Sequence, residues 1–240
     1  MQKKKVFVVS VGGSLVCGFK PNAEKMKKIA SSISKLSRAG FGFAIVVGGG
    51  KVARAYVNAA RSLGSENREL DMLGISITRA NAMLFIQALR KTHQHAESGV
   101  HQQVLTEPLQ VHSVIDSGKI AVFGGIKPGI TTDGVGALVA EQLGRGTAFI
   151  NLTNVDGVYT ADPRREKGAK LIKSLGYDEL IRIVSSSAEH KPGQNFVLDL
   201  PCCQTLKRAK IRAMVLNGNK LANFESAVRG EKFRGTVIEG

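Results

Sequence analysis

The residues best suited to chemistry lie in one stretch, Val122 to Glu141, VFGGIKPGITTDGVGALVAE. An apolar run, Ile120 to Phe123, breaks into a loop carrying Gly124, Gly125, Pro128 and Gly129. Thr131, Thr132 and Asp133 follow, and then Val135, Leu138 and Val139 recur at helical spacing. The order is strand, loop, helix N-terminus. Glycines let backbone amides approach an anion with no side chain between, and a first helical turn adds unpaired N–H groups at the positive end of its dipole. The hydroxyls of Thr131 and Thr132 are suited to donate to a phosphate, and either of them or Asp133 is suited to cap the helix. An ordinary crossover also uses glycines for a tight turn, so one loop decides nothing. Two more segments repeat the device, VSVGGSL at Val9 to Leu15 and IVVGGGKVAR at Ile45 to Arg54. Ligands of an open parallel sheet gather at the carboxyl ends of its strands, so these loops are expected to converge on one polyphosphate.

The second loop, GGGK, invites comparison with the P-loop. That signature needs glycine at position 45 and Ser or Thr at position 52, where this chain has Ile45 and Val52, so it is not a Walker A motif. Lys51 and Arg54 still fall in the first turn behind three glycines, where a guanidinium can grip phosphate with two parallel bonds.

The elements that must position these loops alternate. Val6 to Val11 and Phe43 to Val47 read as buried strands, each followed by a helix: one opened by Pro21 or Asn22 and closed by Gly40, the other running from Lys51 to about Leu63. A long helix is expected between Ser65 and Lys91, with Leu70, Leu73, Ile77, Ala80, Leu84 and Ala88 on one face, Asp71 near its start and Arg79 two turns on. Strands are expected at Val100 to Leu105, Ala148 to Leu152, near Leu171, at Ile211 to Leu216 and at Gly235 to Ile238. The intervening helices are expected from Pro108 to about Asp116, from Asp178 to about Val184, from an Asp199 cap to about Ala209, and from Leu221 to Val228. The class is α/β.

Composition narrows the function further. No stretch approaches the roughly 18 to 20 apolar residues of a membrane span, and Val6 to Val9 is too short for the core of a secretory signal, so a cytoplasmic protein with no membrane partner is expected. Three cysteines without a CxxC pair give no disulfide framework. The net charge of +15 attracts nucleotides, but aromatics are only 5% and none interleave with the basic clusters as a stacking platform requires, so no dedicated nucleic-acid partner is expected. His93, His95 and His101 are irregularly spaced with no ordered carboxylates nearby, so no protein-held metal site is expected.

In this order and over nearly the whole chain, VGGSL, VVGGGKVAR, DMLGISITRANAM, FGGIKPGITTDGVGALVAE and LTNVDGVYTADP resemble the amino acid kinase superfamily, most closely its archaeal-type uridylate (UMP) kinases. The resemblance implies a three-layer α/β/α sandwich around a mostly parallel sheet of about eight strands. It implies one domain over residues 1–240, with an N-terminal lobe of about 1–145 for UMP and a C-terminal lobe of about 146–240 for ATP. It further implies phosphoryl transfer from ATP to UMP with Mg2+, in a homohexamer built from dimers. By position, Gly12, Gly13 and Ser14 would hold the donor phosphates, Gly49 would face UMP and Gly50 ATP, and Arg54 would contact phosphate. Asp71 would accept from the ribose hydroxyls. Ile126, Lys127, Pro128, Gly129, Ile130, Thr131 and Thr132 would wrap UMP, and Thr153, Asn154, Tyr159 and Asp162 would bind the adenosine of ATP.

Two departures stand out against that pattern. Many members carry a lysine two residues before the first glycine, where this chain has Ser10, so the cation must come from elsewhere, with Lys51 and Lys127 as the candidates. The family often shows Asp-Pro, small residues and a lysine where this chain reads Asp199, Leu200, Pro201, Cys202, Cys203, Gln204.

Overall fold

The computed structural model describes residues 4–93, 99–161, 163, 166–188 and 197–240. Its strands are β1 (Val6–Val11), β2 (Gly42–Val47), β3 (Ala121–Phe123), β4 (Ala148–Thr153), β5 (Ser174–Leu175), β6 (Arg212–Asn217) and β7 (Thr236–Ile238). They form one sheet in the order β3-β2-β1-β4-β6-β7-β5. Every pairing is parallel except that of β6 with β7.

Alternation along the strands splits the core into two layers. Phe7, Val9 and Val11 of β1 pack on one face with Phe43, Ile45 and Val47 of β2. That face is covered by α2 (Ala23–Arg38), α4 (Asn67–Thr92) and α9 (Leu221–Arg229). Val8, Ala44, Val46, Phe123 and Phe149 fill the other face under α5 (Val111–Asp116), α6 (Thr132–Leu143), α7 (Tyr177–Ala188) and α8 (Leu200–Arg208). Helices on both sides explain why the central strands are continuous apolar runs rather than alternating ones. Each fully buried Phe or Ile side chain contributes on the order of 1.5–3 kcal/mol. The three-layer α/β/α architecture agrees with the sequence reading. A short turn, α1 (Gly13–Val16), follows β1, and α3 (Gly50–Ser62) follows β2 with no fully buried residue.

The sheet has seven strands among the described residues, in keeping with the expected mostly parallel sheet of about eight. Three expectations are corrected. The stretch from Val100 to Leu105 touches β3 and its lead-in through only two isolated bridges, at Val100 with Ile120 and at Leu105 with Phe123, because the exposed Gln102 and Gln103 between them bend outward. Leu171 likewise makes a single bridge, with Tyr159. Finally, the inward face of α4 is Leu70, Ile75, Thr78, Ala82, Phe85, Ile86 and Leu89, while Leu84 and Met83 are exposed. The helix follows the 3.6-residue period, but polar Thr78 and Asn81 occupy inward positions that an apolar-only reading skips. By length and hydropathy α4 could cross a bilayer; here it packs on the sheet and between α2 and α3, with 44% of its most apolar window buried.

Local caps fix several ends. Asn22 accepts from the Lys25 amide to start α2 at 2.9 Å, and Asp199 accepts from Cys202 N at 2.8 Å to start α8. At the C-terminal half of the sheet, Asp156 joins the loop after β4 to Asn217 at 2.9 Å, Lys220 at 2.8 Å and Arg234 at 2.7 Å. Burial alone would raise the Asp156 carboxyl, but hydrogen bonds from Lys220, Arg234 and Asn217 outweigh it and hold it down at about 2. An acid depressed below its unfolded value stabilises above that value and loses the effect as pH falls through the folded one. Water reaches Lys220 and Arg234, so screening limits the contribution to about 1 kcal/mol. Chemical denaturation of Asp156→Asn should show a deficit of that size at pH 6, narrowing as pH drops from 5 toward 3; a deficit constant with pH would contradict the ion-pair account.

Candidate active site

Strands β2 and β3 lie on one side of β1 and β4 and β6 on the other, so strand order reverses between β1 and β4. There the Gly12 amide donates to the Leu152 carbonyl at 2.9 Å. A reversal of this kind opens the crevice in which open parallel sheets bind ligands.

The loops after β1 and β2 meet backbone to backbone. A Cβ on Gly13 would stand 2.0 Å from the Gly50 nitrogen, and one on Gly50 would stand 2.0 Å from the Cys17 carbonyl oxygen. Gly50 also takes φ +69°, in the left-handed region that favours glycine. The Lys51 amide closes the junction by donating to Cys17 O at 3.1 Å. Both positions therefore require glycine for steric reasons.

Helix α4 braces these loops from behind. Asn81 Nδ2 donates to Gly48 O at 3.0 Å and to Gly49 O at 3.3 Å. Thr78 Oγ1 accepts from the Gly125 amide at 2.7 Å, while Arg79 donates from Nε to Gly125 O at 2.9 Å and from Nη2 to Ile126 O at 3.0 Å. A Cβ on Gly124 would lie 2.9 Å from the Arg79 nitrogen, so this loop too is pressed against the helix. The roles of Thr78, Arg79 and Asn81 escaped the sequence reading; their signal is a run of hydrogen-bonding side chains inside an otherwise apolar helix.

The result is one cavity of about 830 Å³. Gly13, Ser14, Gly48, Gly49, Gly50, Thr131 and Thr132 line one end, where α3 and α6 both present their N-termini. Arg54 stands beside them with Nη2 3.4 Å from Ser14 Oγ, and Lys127 and Ile130 line the same space. Asp71 and Gly129 face each other farther along; Asp71 Oδ2 accepts from the Gly129 amide at 2.8 Å and so clamps the loop. Arg61 and Asn67, not singled out from the sequence, also line the cavity.

Other expected residues lie elsewhere. Lys51 holds its ammonium 4.6 Å over the exposed Phe19 ring, and neither it nor Gly12, Ile126 or Pro128 lines the cavity. Thr153 and Asn154 sit at the end of β4, across Gly12 from the cavity, with Thr153 Oγ1 and Asn154 Oδ1 3.5 Å apart. Tyr159 follows in that loop at its bridge to Leu171. Asp162 is outside the described residues, as is His95.

Behind the glycine-lined end of the cavity the chain places acids. Thr131, of the three candidate caps, is the one that caps α6, accepting from Gly134 N at 3.0 Å, and its hydroxyl proton goes to the Asp199 carboxylate. Ser10 Oγ donates to Asp133 Oδ1 at 2.6 Å. Burial pushes the Asp133 carboxyl up to about 6, the Ser10 hydrogen bond working against the rise and the neighbouring Asp199 adding to it. Where a lysine would supply charge, the chain thus has a neutral hydroxyl on a buried acid. Burial, with Asp199 and Asp133 nearby, pushes the Cys203 thiol up to about 12, and all three cysteines are free and buried, which suits packing rather than nucleophilic attack. Among the described residues no three His, Cys, Asp or Glu side chains are placed to hold a metal ion.

The Amino acid kinase family profile matches residues 5–217. A protein named uridylate kinase from Pyrococcus abyssi is 38% identical over 232 residues, covering 97% of this chain and 98% of its own length. Its counterpart from Archaeoglobus fulgidus is 38% identical, covering 96% of this chain and 98% of its own length. The crystal structure of uridylate kinase from Archaeoglobus fulgidus superposes with a TM-score of 0.82 at 36% identity, over 97% of this chain and 99% of that one. The crystal structure of UMP kinase from Bacillus anthracis, 22% identical, shares the fold with a TM-score of 0.82 over 98% of this chain and 96% of that one. With strand-end glycine loops gathered at one crevice and a profile match running through nearly all of them, this chain belongs to the amino acid kinase family.

Proposed function

We propose that the protein transfers the γ-phosphoryl group of ATP to UMP, giving ADP and UDP for pyrimidine nucleotide synthesis. The observation that carries the proposal is the cavity itself: two helix N-termini, glycine amides and Arg54 at one end, with a carboxylate, Asp71, one step farther along. The relatives named uridylate kinase support the same reading.

An oxygen of the acceptor phosphate forms a bond to the γ-phosphorus as the bond to the β,γ-bridging oxygen breaks, and the electron pair leaves with ADP. That oxygen is already anionic, so no general base is needed, and the protein's work is in-line positioning and neutralisation of charge. Amides at Gly49 and Gly50 and the first turns of α3 and α6 hold the two mutually repelling phosphates, with Thr132 as the hydroxyl beside them. Arg54 grips the acceptor phosphate. Of the two candidate cations, Lys127, which lines the cavity, takes the role that Ser10 cannot supply, since Lys51 holds its ammonium over Phe19. Asp71 accepts from the ribose hydroxyls. Gly12, Gly13 and Ser14 lead to the donor phosphates, and Thr153, Asn154 and Tyr159 toward its adenosine, so UMP uses the N-terminal part of the chain and ATP the C-terminal part. Asp133 and Asp199 are already engaged by Ser10, Thr131 and Cys202 N, so no residue is assigned to magnesium, which is expected to arrive on the ATP phosphates with water. We place the enzyme in the cytoplasm as a homo-oligomer; Tyr56, Met72 and Met83 leave apolar surface exposed on α3 and α4.

A second reading, a nucleotide or oxyanion binder without turnover, is favoured by Ser10 alone. Coupled ADP release with a panel of monophosphate acceptors separates the two, and activity with UMP is the expected result; tight UMP and ATP binding with no ADP formed would sink the kinase reading. Asp71→Ala leaves ribose hydroxyls unpaired, at a cost of roughly 1 to 3 kcal/mol. Its KM for UMP should rise about tenfold while KM for ATP holds, and an unchanged UMP value would refute the ribose assignment. Arg54→Met should lower kcat/KM for UMP by about 10- to 100-fold through loss of a charge-assisted pair.

A further inference from the structure

The net charge of +15 is not consumed by the chemistry above, and the fold gathers part of it on one edge. The cleft lies at the carboxyl ends of the parallel strands. Their amino ends lie on the opposite edge, roughly 20 Å away along the six residues of β1. Lys119 stands shortly before β3, Lys5 before β1, Arg145 before β4 and Lys210 before β6. Pairing register sets Phe7 level with Phe43, Ala148 and Arg212, and Ala121 one residue higher. Counted back along the chain from that level, Lys119 is one residue below it, Lys5 and Lys210 are two, and Arg145 is three. At about 3.3 Å per residue the four fall within a band of roughly 7 Å, which at about 4.8 Å between strands crosses roughly 19 Å from β3 to β6.

This row of cations is not neutralised. Glu141 and Glu239, on the same edge, are engaged by Arg208 at 2.9 Å and Arg212 at 3.2 Å. Among the described residues no carboxylate pairs with Lys5, Lys119, Arg145 or Lys210. Asp116, exposed at the end of α5, is one acid against these four. On the side covered by α2 and α4, Arg38 donates to the Thr92 carbonyl at 3.5 Å and with Lys91 adds a second rank. A helix dipole attracts cations to its last turn, which accounts for Arg38, Lys91, Lys207 and Arg208. The four residues of the row lie past those turns, and Lys5 follows no helix at all.

We infer that this edge binds the phosphate backbone of a nucleic-acid duplex without reading its sequence. Unpaired cations set along a line fit a chain of phosphates. A membrane surface calls for apolar anchors beside the charge, and none of the large exposed apolar side chains lies in these loops. A duplex carries one negative charge for about every 1.7 Å of its axis, so roughly 19 Å of it presents about eleven phosphates, more than the row can engage. Backbone contact needs cations but no stacking aromatics, whose absence argued against such a partner in the sequence, where these four residues form no cluster. Nothing here depends on the acceptor taken by the cleft. DNA and RNA duplexes share this chemistry, so both serve as probes.

Fluorescence anisotropy of labelled duplex DNA and duplex RNA is followed as salt rises from about 50 to 200 mM. Four phosphate contacts should weaken wild-type binding by roughly 100-fold over that range. In the double variant Arg145→Gln with Lys210→Asn the loss should shrink to about tenfold, since each removed contact takes about 0.9 from the salt slope. Asn suits position 210, where φ is +54°. Both side chains are exposed, so the variant is expected to fold, and unchanged thermal melting checks it. A control of equal charge, Lys28→Gln with Lys232→Gln at exposed sites away from the row, should keep the full salt dependence. Saturating UMP with ADP should leave duplex binding in place. The better-bound probe identifies the nucleic acid. Absence of binding to both duplexes at 50 mM salt, or a control as impaired as the row variant, overturns the inference. So does displacement by UMP with ADP, which would put the duplex in the cleft, or phosphatidylserine vesicles that bind through the row in preference to either duplex.

Discussion

The structure depends on the absence of side chains where β1 and β2 end. The two loops lie backbone against backbone, Gly13 on Gly50, at the point where strand order reverses. Close approach of this kind places several peptide N–H groups around one small volume, which a layer of side chains would separate. It also leaves those loops without packing of their own, and so α4 supplies the bracing through Thr78, Arg79 and Asn81. These bonds run between side chains of α4 and carbonyls and amides of the loops, so the loop geometry is set by a helix packed against the sheet.

Electrostatically the site is layered. Its front carries Arg54 and Lys127 with two helix N-termini, while Asp133 and Asp199 stand behind. Asp199 serves two helices at once, capping α8 with one oxygen and receiving the Thr131 hydroxyl, the cap of α6, on the other. The first turn of α6 is in this way held to the C-terminal half of the chain. The acid at Asp133 is tolerated because Ser10 hydrogen-bonds it, and its raised pKa records the cost of enclosing it there.

Much of this was legible in the residues. Continuous apolar runs marked the buried strands, and glycines directly after them marked the crevice, because those two signals are local and steric. The failures are equally physical. Val100 to Leu105 has strand-like composition, but the polar pair inside it turns to water at a sheet edge, where nothing compels pairing. The inward face of α4 was misjudged because Thr78 and Asn81 are buried for hydrogen bonding, which apolar periodicity does not register. Lys51 follows three glycines and looks directed at phosphate, yet its ammonium lies over the ring of Phe19, a residue of the earlier β1–α2 connection that local spacing does not register. Arg61 and Asn67 gave no signal at all, since only the antiparallel pairing of α3 with α4 brings them to the same rim.

The interlocked main chain at the bottom of the cleft has an evolutionary corollary. Anything built from peptide groups is indifferent to most codon changes except those that add bulk at a few glycines, which are lethal to the geometry. The mouth, by contrast, is furnished by solvent-facing residues flanking a short surface turn. Diversification of what enters this cleft can accumulate there one residue at a time, leaving the transfer apparatus beneath untouched.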